Sequence, residues 1–189
     1  EIMDEQRKRT YSYRQQILDG QDCRTLLLGM MHDEIERWTK HFLAKNYRWE
    51  TVAAWISQNL QLETEASDIR DMSKSDISVW IHDEGLRQGE TQIYEQIDIH
   101  LPGDAPNKLD WNWIALTRWA NRAFGLSLND KELRSRDRSE IAPFLLEKAK
   151  EGIARWELNE LDALLDPLYP QKSLVSWSNF NFLLGLKPE

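Results

Sequence analysis

The chain has 189 residues, a formal net charge of −8, and 41% hydrophobic and 30% charged residues, which allows one ordinary domain or two small ones. This composition excludes a disordered chain, and no apolar run approaches the roughly 20 residues that span a bilayer. An acidic chain without a clustered basic face is a poor ligand for phosphate backbones, which argues against a nucleic-acid partner.

Cysteine content and the N-terminal residues bear on location. A lone Cys23 excludes an intrachain disulfide and fits the reducing cytoplasm. The chain starts with Glu1 rather than Met, and it opens with acids where a secretory signal peptide would carry basic residues. We therefore expect a soluble piece of a longer cytoplasmic protein.

The first 45 residues predict two helices. Residues 1–18 contain no Gly or Pro and stop at Asp19-Gly20, a common helix end. The apolar stripe of this helix is thin, so we expect it to dock on, or continue from, something outside the chain. The second helix runs from about Asp22 to about Ala44 and has one continuous apolar face. That face consists of Leu27, Met31, Ile35, Trp38 and Phe42.

From Trp49 onward the sequence repeats itself. Residues 49–85 align without gaps to residues 113–149, which places Trp49 on Trp113 and Trp55 on Trp119. Each copy predicts a Trp-bearing helix, a polar turn, a short hydrophobic tether and a second helix. The alternative is chance, since any two amphipathic helices share apolar spacing, but two rare tryptophans coincide in register.

The second helix of each copy is predicted to be long. In the first copy it spans residues 73–99, begins at Ser73 or Ser75, and contains Gly85 and Gly89, which permit a kink or a close helix contact. In the second copy it spans residues 139–165, with Ser139 as its cap and Asp166-Pro167 as its stop. Residues 101–106 are the best linker candidate. Strands are not indicated, although residues 92–100 are ambiguous.

A third, incomplete copy closes the chain. Its apolar residues match residues of the second copy that lie 58 positions earlier, and they are Leu174, Trp177, Phe182, Leu184 and Leu186. We therefore predict an all-α fold built from repeated helix-turn-helix units. The predicted segments are residues 1–45 with two helices, 46–107 with the first unit, 108–170 with the second unit, and 171–189 with the start of a third.

Enzyme signatures are absent from the sequence. It lacks a phosphate-binding P-loop and a dinucleotide-binding glycine motif, and its four histidines show no metal-ligand spacing. The many carboxylates fall at helical spacing and are interpreted as solvated faces and caps. We therefore predict no catalytic, cofactor-binding or metal site in this chain.

Nine tryptophans are the unusual feature of the composition, because Trp at this frequency indicates heavy core packing or a contact surface. Trp111 and Trp113 flank Asn112 and cannot share one helix face, so one of them is expected to be exposed or in an interface. Four others lie on apolar helix faces and are expected in a core: Trp38, Trp55, Trp119 and Trp177.

The first helix also carries a motif. An acid-rich lead-in precedes Gln-Arg, then a Tyr, an Arg and an Ile-Leu pair, at Gln6, Arg7, Tyr11, Arg14, Ile17 and Leu18. This pattern resembles the long scaffold helix of the SecA preprotein translocase family, with Thr10 where Ile or Val is usual. The Trp49-Glu50 helix is similar to the start of the helical wing of that family. The resemblance is specific over residues 2–18, extends to about residue 85, and does not include the two-helix finger, because Leu165 replaces the expected Trp.

The resemblance implies that this chain is a non-catalytic part of a motor: a long scaffold helix followed by a bundle of wing helices. The parent would be a cytoplasmic ATPase, peripherally associated with the membrane, that binds ATP in lobes outside this chain. This part would relay motor movement and border the preprotein path. Its partners would be the remaining motor domains, the preprotein and the membrane translocon, with Arg7, Arg14, Trp111 and Trp113 as candidate interaction residues.

Two other functions are compatible with parts of the pattern. A free-standing helical repeat adaptor would bind partner proteins through its repeat face. An enzyme that uses dispersed carboxylates is a weaker alternative, since no catalytic constellation supports it. A P-loop and motor domain encoded upstream would favour the translocase over the adaptor.

Overall fold

The computed structural model describes residues 2–20, 22–103 and 111–187. In these ranges the secondary structure is helical without strands, which confirms the all-α prediction, and the ambiguous window 92–100 lies in a helix. No helix in the described ranges has the length and apolar character needed to cross a membrane. The helices are α1 (Ile2–Leu18), α2 (Cys23–Phe42), α3 (Tyr47–Leu60), α4 (Ala66–Ile69), α5 (Lys74–His100), α6 (Trp113–Phe124), α7 (Asp130–Arg134), α8 (Arg138–Ile153), α9 (Leu161–Leu164) and α10 (Tyr169–Phe182).

Two compact units make up the chain. One consists of residues 1–47 together with 168–189, and the other consists of residues 48–167. The expected border at 107/108 and part of the candidate linker, residues 104–106, lie outside the described residues. The finer division into four segments and the repeat of helix-turn-helix units stay predictions.

Local capping signals set several helix ends as the sequence indicates. α1 ends before Gly20, whose φ of +85° suits a residue without a side chain. Asp22 caps α2 by accepting hydrogen bonds from the amides of Arg24 and Thr25. Ser73 caps α5, and Asp76 completes a capping box with it.

The predicted bounds of α8 are wrong at both ends. Asp137, rather than Ser139, is the cap, because Glu140 reaches back to the Asp137 amide at 3.3 Å and forms a capping box with it. The helix ends at Ile153 rather than at residue 165. After that the chain turns, and the ring of Trp156 packs against Gly85 of α5, where an added Cβ would lie 2.8 Å from the indole. Burial of this indole against two core clusters favours a turn over continuation of the helix.

The unit of residues 48–167 contains two hydrophobic clusters. The first cluster joins α3, α4 and the N-terminal half of α5, and the second joins the C-terminal half of α5 to α6, α7 and α8. Positions that the 64-residue offset pairs are buried in corresponding clusters: Trp49 and Trp113, Val52 and Leu116, Leu60 and Phe124, Ile69 and Leu133, Ile77 and Ile141, Ile81 and Leu145. Helix α5 is thus shared by both clusters.

In the other unit, aromatic rings hold α10 against the C-terminal end of α2. Trp177 of α10 lies 5.6 Å from Trp38 and 6.3 Å from Phe42, measured between ring centroids. Tyr47 stacks on Tyr169 with centroids 6.2 Å apart. These contacts place the start and the end of the described chain in one compact unit.

Candidate interaction surfaces

The predicted pair Trp111 and Trp113 lies at the start of α6. Trp113 is buried in the second cluster, and Trp111 is half-buried against the same cluster. The rings meet edge to face at 5.3 Å, and the Trp111 indole N–H donates to the Pro102 carbonyl at 3.1 Å. Neither indole is fully exposed, because Trp111 precedes the helix and can turn to the same side as Trp113. The other expectation, that one of the two lies in an interface, stays a prediction. A contact of this pair with another domain stays a prediction.

Arg7 and Arg14 lie on α1 and are both exposed. The guanidinium of Arg7 lies 5.7 Å from the centroid of the Tyr11 ring, a cation–π contact at a solvated site. The two arginines are seven residues apart, which places them on one side of the helix. Both side chains are accessible there, and their contact with a partner stays a prediction.

Helix α1 as a whole is open to solvent. Among its described side chains only Tyr13 and Gln16 are half-buried, while Ile17 and Leu18 at its C-terminal end are exposed. A helix this polar is marginal in isolation. Its surface is consistent with the expected docking on another part of a larger protein.

The apolar face predicted for α2 is only partly covered. Its C-terminal half packs through Trp38 and Phe42 against α10. The part of this face that precedes Trp38 leaves Leu27, Met31 and Ile35 exposed. These exposed residues of α2 follow α1 in the sequence, and both helices belong to the same compact unit.

Sequence reasoning missed the role of Gln88 on α5. The side chain is 9% exposed; its Nε2 donates to the Glu63 carbonyl at 2.9 Å, and its Oε1 accepts from the Glu63 amide at 2.9 Å. Nε2 also donates to Glu84 at 2.7 Å. The buried amide of Gln88 thus fixes the tether after α3, the short segment of residues 61–65 that leads to α4. A lone glutamine in an apolar helix face was the only available signal.

Several pockets lie on the surface of the described residues. One has a volume of about 620 Å³ between α6 and residues 127–130, and its lining includes Arg118 and Asp130. A pocket of about 480 Å³ beside the Glu63 tether is acidic, and the Glu84 carboxylate in it is paired with Arg87. Within the described ranges, no group of three or more His, Cys, Asp or Glu side chains is placed to hold a metal ion.

Comparison with known proteins places these surfaces in context. The family model described as SecA Wing and Scaffold domain matches residues 1–171. Protein translocase subunit SecA 1 of Rhodopirellula baltica is 33% identical over 189 residues, an alignment that covers the whole of this chain and 15% of that relative. No solved structure matches the chain. The chain belongs to the SecA wing and scaffold family.

Proposed function

We propose that this chain is the non-catalytic scaffold and wing portion of a SecA-like, ATP-driven protein-export motor. The match of the family over residues 1–171 carries the proposal. The described surfaces support it, because α1 and the beginning of α2 offer exposed helix faces to other domains. In this proposal ATP binds in motor lobes outside the chain, and the chain itself holds no cofactor.

Helix α1 supports a role in relaying movement. Its 17 residues span about 25 Å at 1.5 Å per residue, which allows one rigid element to contact two distant parts of a motor. Arg7 and Arg14 are exposed on it and are the groups that we assign to contacts with the remaining motor domains. The exposed Ile17 and Leu18 add an apolar contribution at its end.

The unit of residues 48–167 supports a role as a wing. It buries its own two hydrophobic clusters and so can move as a body. We assign it to the border of the preprotein path in a cytoplasmic parent that associates peripherally with the membrane translocon. Trp111 and Trp113 then pack within this unit and position its surface for contact with the preprotein.

Charge reversal on α1 in the full-length protein tests the proposal. Preprotein transport into inverted membrane vesicles and ATP hydrolysis are measured for the double variant Arg7→Glu, Arg14→Glu. We expect transport to fall about tenfold, equivalent to about 1.4 kcal/mol of coupling, while basal hydrolysis is retained. Arg24→Glu, an exposed arginine on α2, is the matched control and should transport normally.

Two outcomes would contradict the proposal, one for the role of α1 and one for the assignment to a motor. Normal transport by the double variant would remove the relay role of α1. A full-length protein without any ATP-driven transport would remove the motor assignment and favour the adaptor, which requires only protein binding.

A further inference from the structure

The C-terminal end of α10 and the segment that follows it expose large apolar side chains. Leu183 is 90% exposed, Phe180 84%, Leu184 57% and Leu186 48%. Single exposed apolar residues are normal, but four within seven residues are a concentration of the kind that usually contacts another element. We call these four residues the α10 surface.

Backbone geometry relates the end of α10 to the ends of α3 and α6. Each of these helices is followed by a residue in the left-handed region: Gln61 with φ +56°, Gly125 with φ +62° and Leu183 with φ +54°. The offsets of 64 and 58 residues found in the sequence place these three residues at one equivalent position. A leucine rarely adopts this conformation, and it persists where the surroundings require it.

The tethers after α6 and α10 are held by the same hydrogen bonds. The Asn121 side chain donates to the Leu128 carbonyl at 2.9 Å and accepts from the Leu128 amide at 2.7 Å. The Asn179 side chain does the same with Leu186, at 2.8 and 2.7 Å. The segment after α10 therefore has the conformation of the tether after α6. The same kind of element that packs on the tether after α6 could pack on it.

Helix α8 is what covers the tether after α6. An added Cβ on Gly152 of α8 would lie 3.1 Å from the Leu126 side chain, and Leu126 packs on the second cluster. Its equivalent Leu184 is exposed. Phe124 is likewise 3% exposed, whereas its equivalent Phe182 is only half-buried.

We propose that α10 is the first helix of a third unit, and that an amphipathic helix of the same polypeptide, following residue 189, packs on Leu184 and Leu186 of the α10 surface, the equivalents of the half-buried Leu126 and Leu128. Helix α8 occupies positions 14 to 29 residues after Phe124, so the covering helix occupies the same interval after Phe182. It starts with a capping box, as α5 and α8 do. The relative that this chain matches is several times longer, since the alignment covers 15% of it, and such a segment is compatible with that length. This inference does not depend on the transport function.

Photo-crosslinking in the full-length protein identifies the occupant. Benzoyl-phenylalanine replaces Leu184 in one variant and the exposed Ser176, on α10 outside the α10 surface, in the control variant. After irradiation we expect the position-184 product to join a peptide 14 to 29 residues after Phe182. The position-176 control should give no such product. A crosslink to a second copy, to another protein or to a distant segment would overturn the proposal, as would no crosslink.

Hydrogen exchange of the full-length protein gives a second measurement. The peptide 14 to 29 residues after Phe182 should exchange slowly, and the double substitution Leu184→Ser, Leu186→Ser should speed its exchange about tenfold. Ser176→Ala should leave the rate unchanged. Fast exchange of this peptide in the unsubstituted protein would also overturn the proposal.

Discussion

Gly152 of α8 lies directly against the carbonyl oxygen of Phe124 at the end of α6. An added Cβ at residue 152 would overlap this backbone oxygen and would also come 3.1 Å from the Leu126 side chain. A backbone atom in a helix cannot move aside as the end of a flexible side chain can. The close approach of α6 and α8 therefore depends on the absence of a side chain at this position.

Substitution of Gly152 by Ala should destabilise the unit of residues 48–167. Alanine favours a helix over glycine by up to about 1 kcal/mol, but here the overlap forces the two helices apart. We expect a net loss of about 2 kcal/mol in the free energy of unfolding. Urea unfolding followed by far-ultraviolet circular dichroism measures it.

Gly103→Ala is the matched control within the same unit. Its added Cβ would lie 3.7 Å from the Arg138 guanidinium, an ordinary contact, so the free energy of unfolding should stay within about 0.5 kcal/mol. If Gly152→Ala were as stable as the wild type, the packing of α8 on α6 described here would be wrong.

Gln88→Ala should release the tether after α3. The substitution removes the partner of both the amide and the carbonyl of Glu63. Leaving such groups without their partner costs about 2 kcal/mol. Urea unfolding should show this loss, and the Glu63 amide should exchange faster with deuterium. Gln58→Ala, on an exposed position of α3, should change neither quantity.

Local signals in the sequence were sufficient for much of the fold. The Gly20 stop and the caps at Asp22 and Ser73 act within one helical turn, so a sequence pattern contains them in full. The 64-residue offset also paired residues that are buried in corresponding clusters, such as Ile69 and Leu133. Periodic apolar residues predict burial because one face of each helix must meet a core.

Long-range contacts account for what the sequence did not predict. The end of α8 at Ile153 depends on Trp156 reaching Gly85, about 70 residues away in the chain. The contact between Trp38 and Trp177 joins α2 to α10, which are far apart in the sequence, and no local pattern specifies this contact. Which residues of the candidate interaction surfaces are exposed was only partly predictable for the same reason. The exposure of a side chain depends on which other elements its helix face contacts in the folded chain.

Acid should weaken the unit of residues 48–167 partly through Glu84. A hydrogen bond from the Arg87 guanidinium, with a further one from Gln88, lowers the pKa of this carboxyl below its usual 4.5, and burial opposes that shift. A carboxyl with a lowered folded-state pKa stabilises the fold above pH 4.5 and loses this contribution as the pH falls through the lowered value. Glu84→Gln should therefore lose less stability than the wild type below pH 4.5.

The urea midpoint measured at intervals from pH 7 to pH 3 checks this prediction. Glu90→Gln changes the same residue type at an exposed position of α5 and serves as the control, with a pH profile parallel to that of the wild type. Parallel profiles for Glu84→Gln and the wild type would show that the Arg87 contact contributes nothing to the fold in solution.

Trp177→Ala should destabilise the unit that contains α2 and α10. The ring contacts Trp38, Phe42 and Phe182 at centroid distances of 5.6, 6.3 and 5.5 Å. Because Trp177 is half-buried rather than fully buried, we expect a loss of about 2 kcal/mol, less than the 3–5 kcal/mol typical of a core Trp.

Phe180→Ala on the same helix separates packing within the unit from contact with a partner. Phe180 is 84% exposed, so its removal should leave the free energy of unfolding of this chain within about 0.5 kcal/mol. Near-ultraviolet circular dichroism should lose the contribution of the Trp38–Trp177 contact only in Trp177→Ala. Equal stability of the two variants would mean that α10 does not pack on α2 through Trp177, because in that case the two rings would have equivalent solvated surroundings.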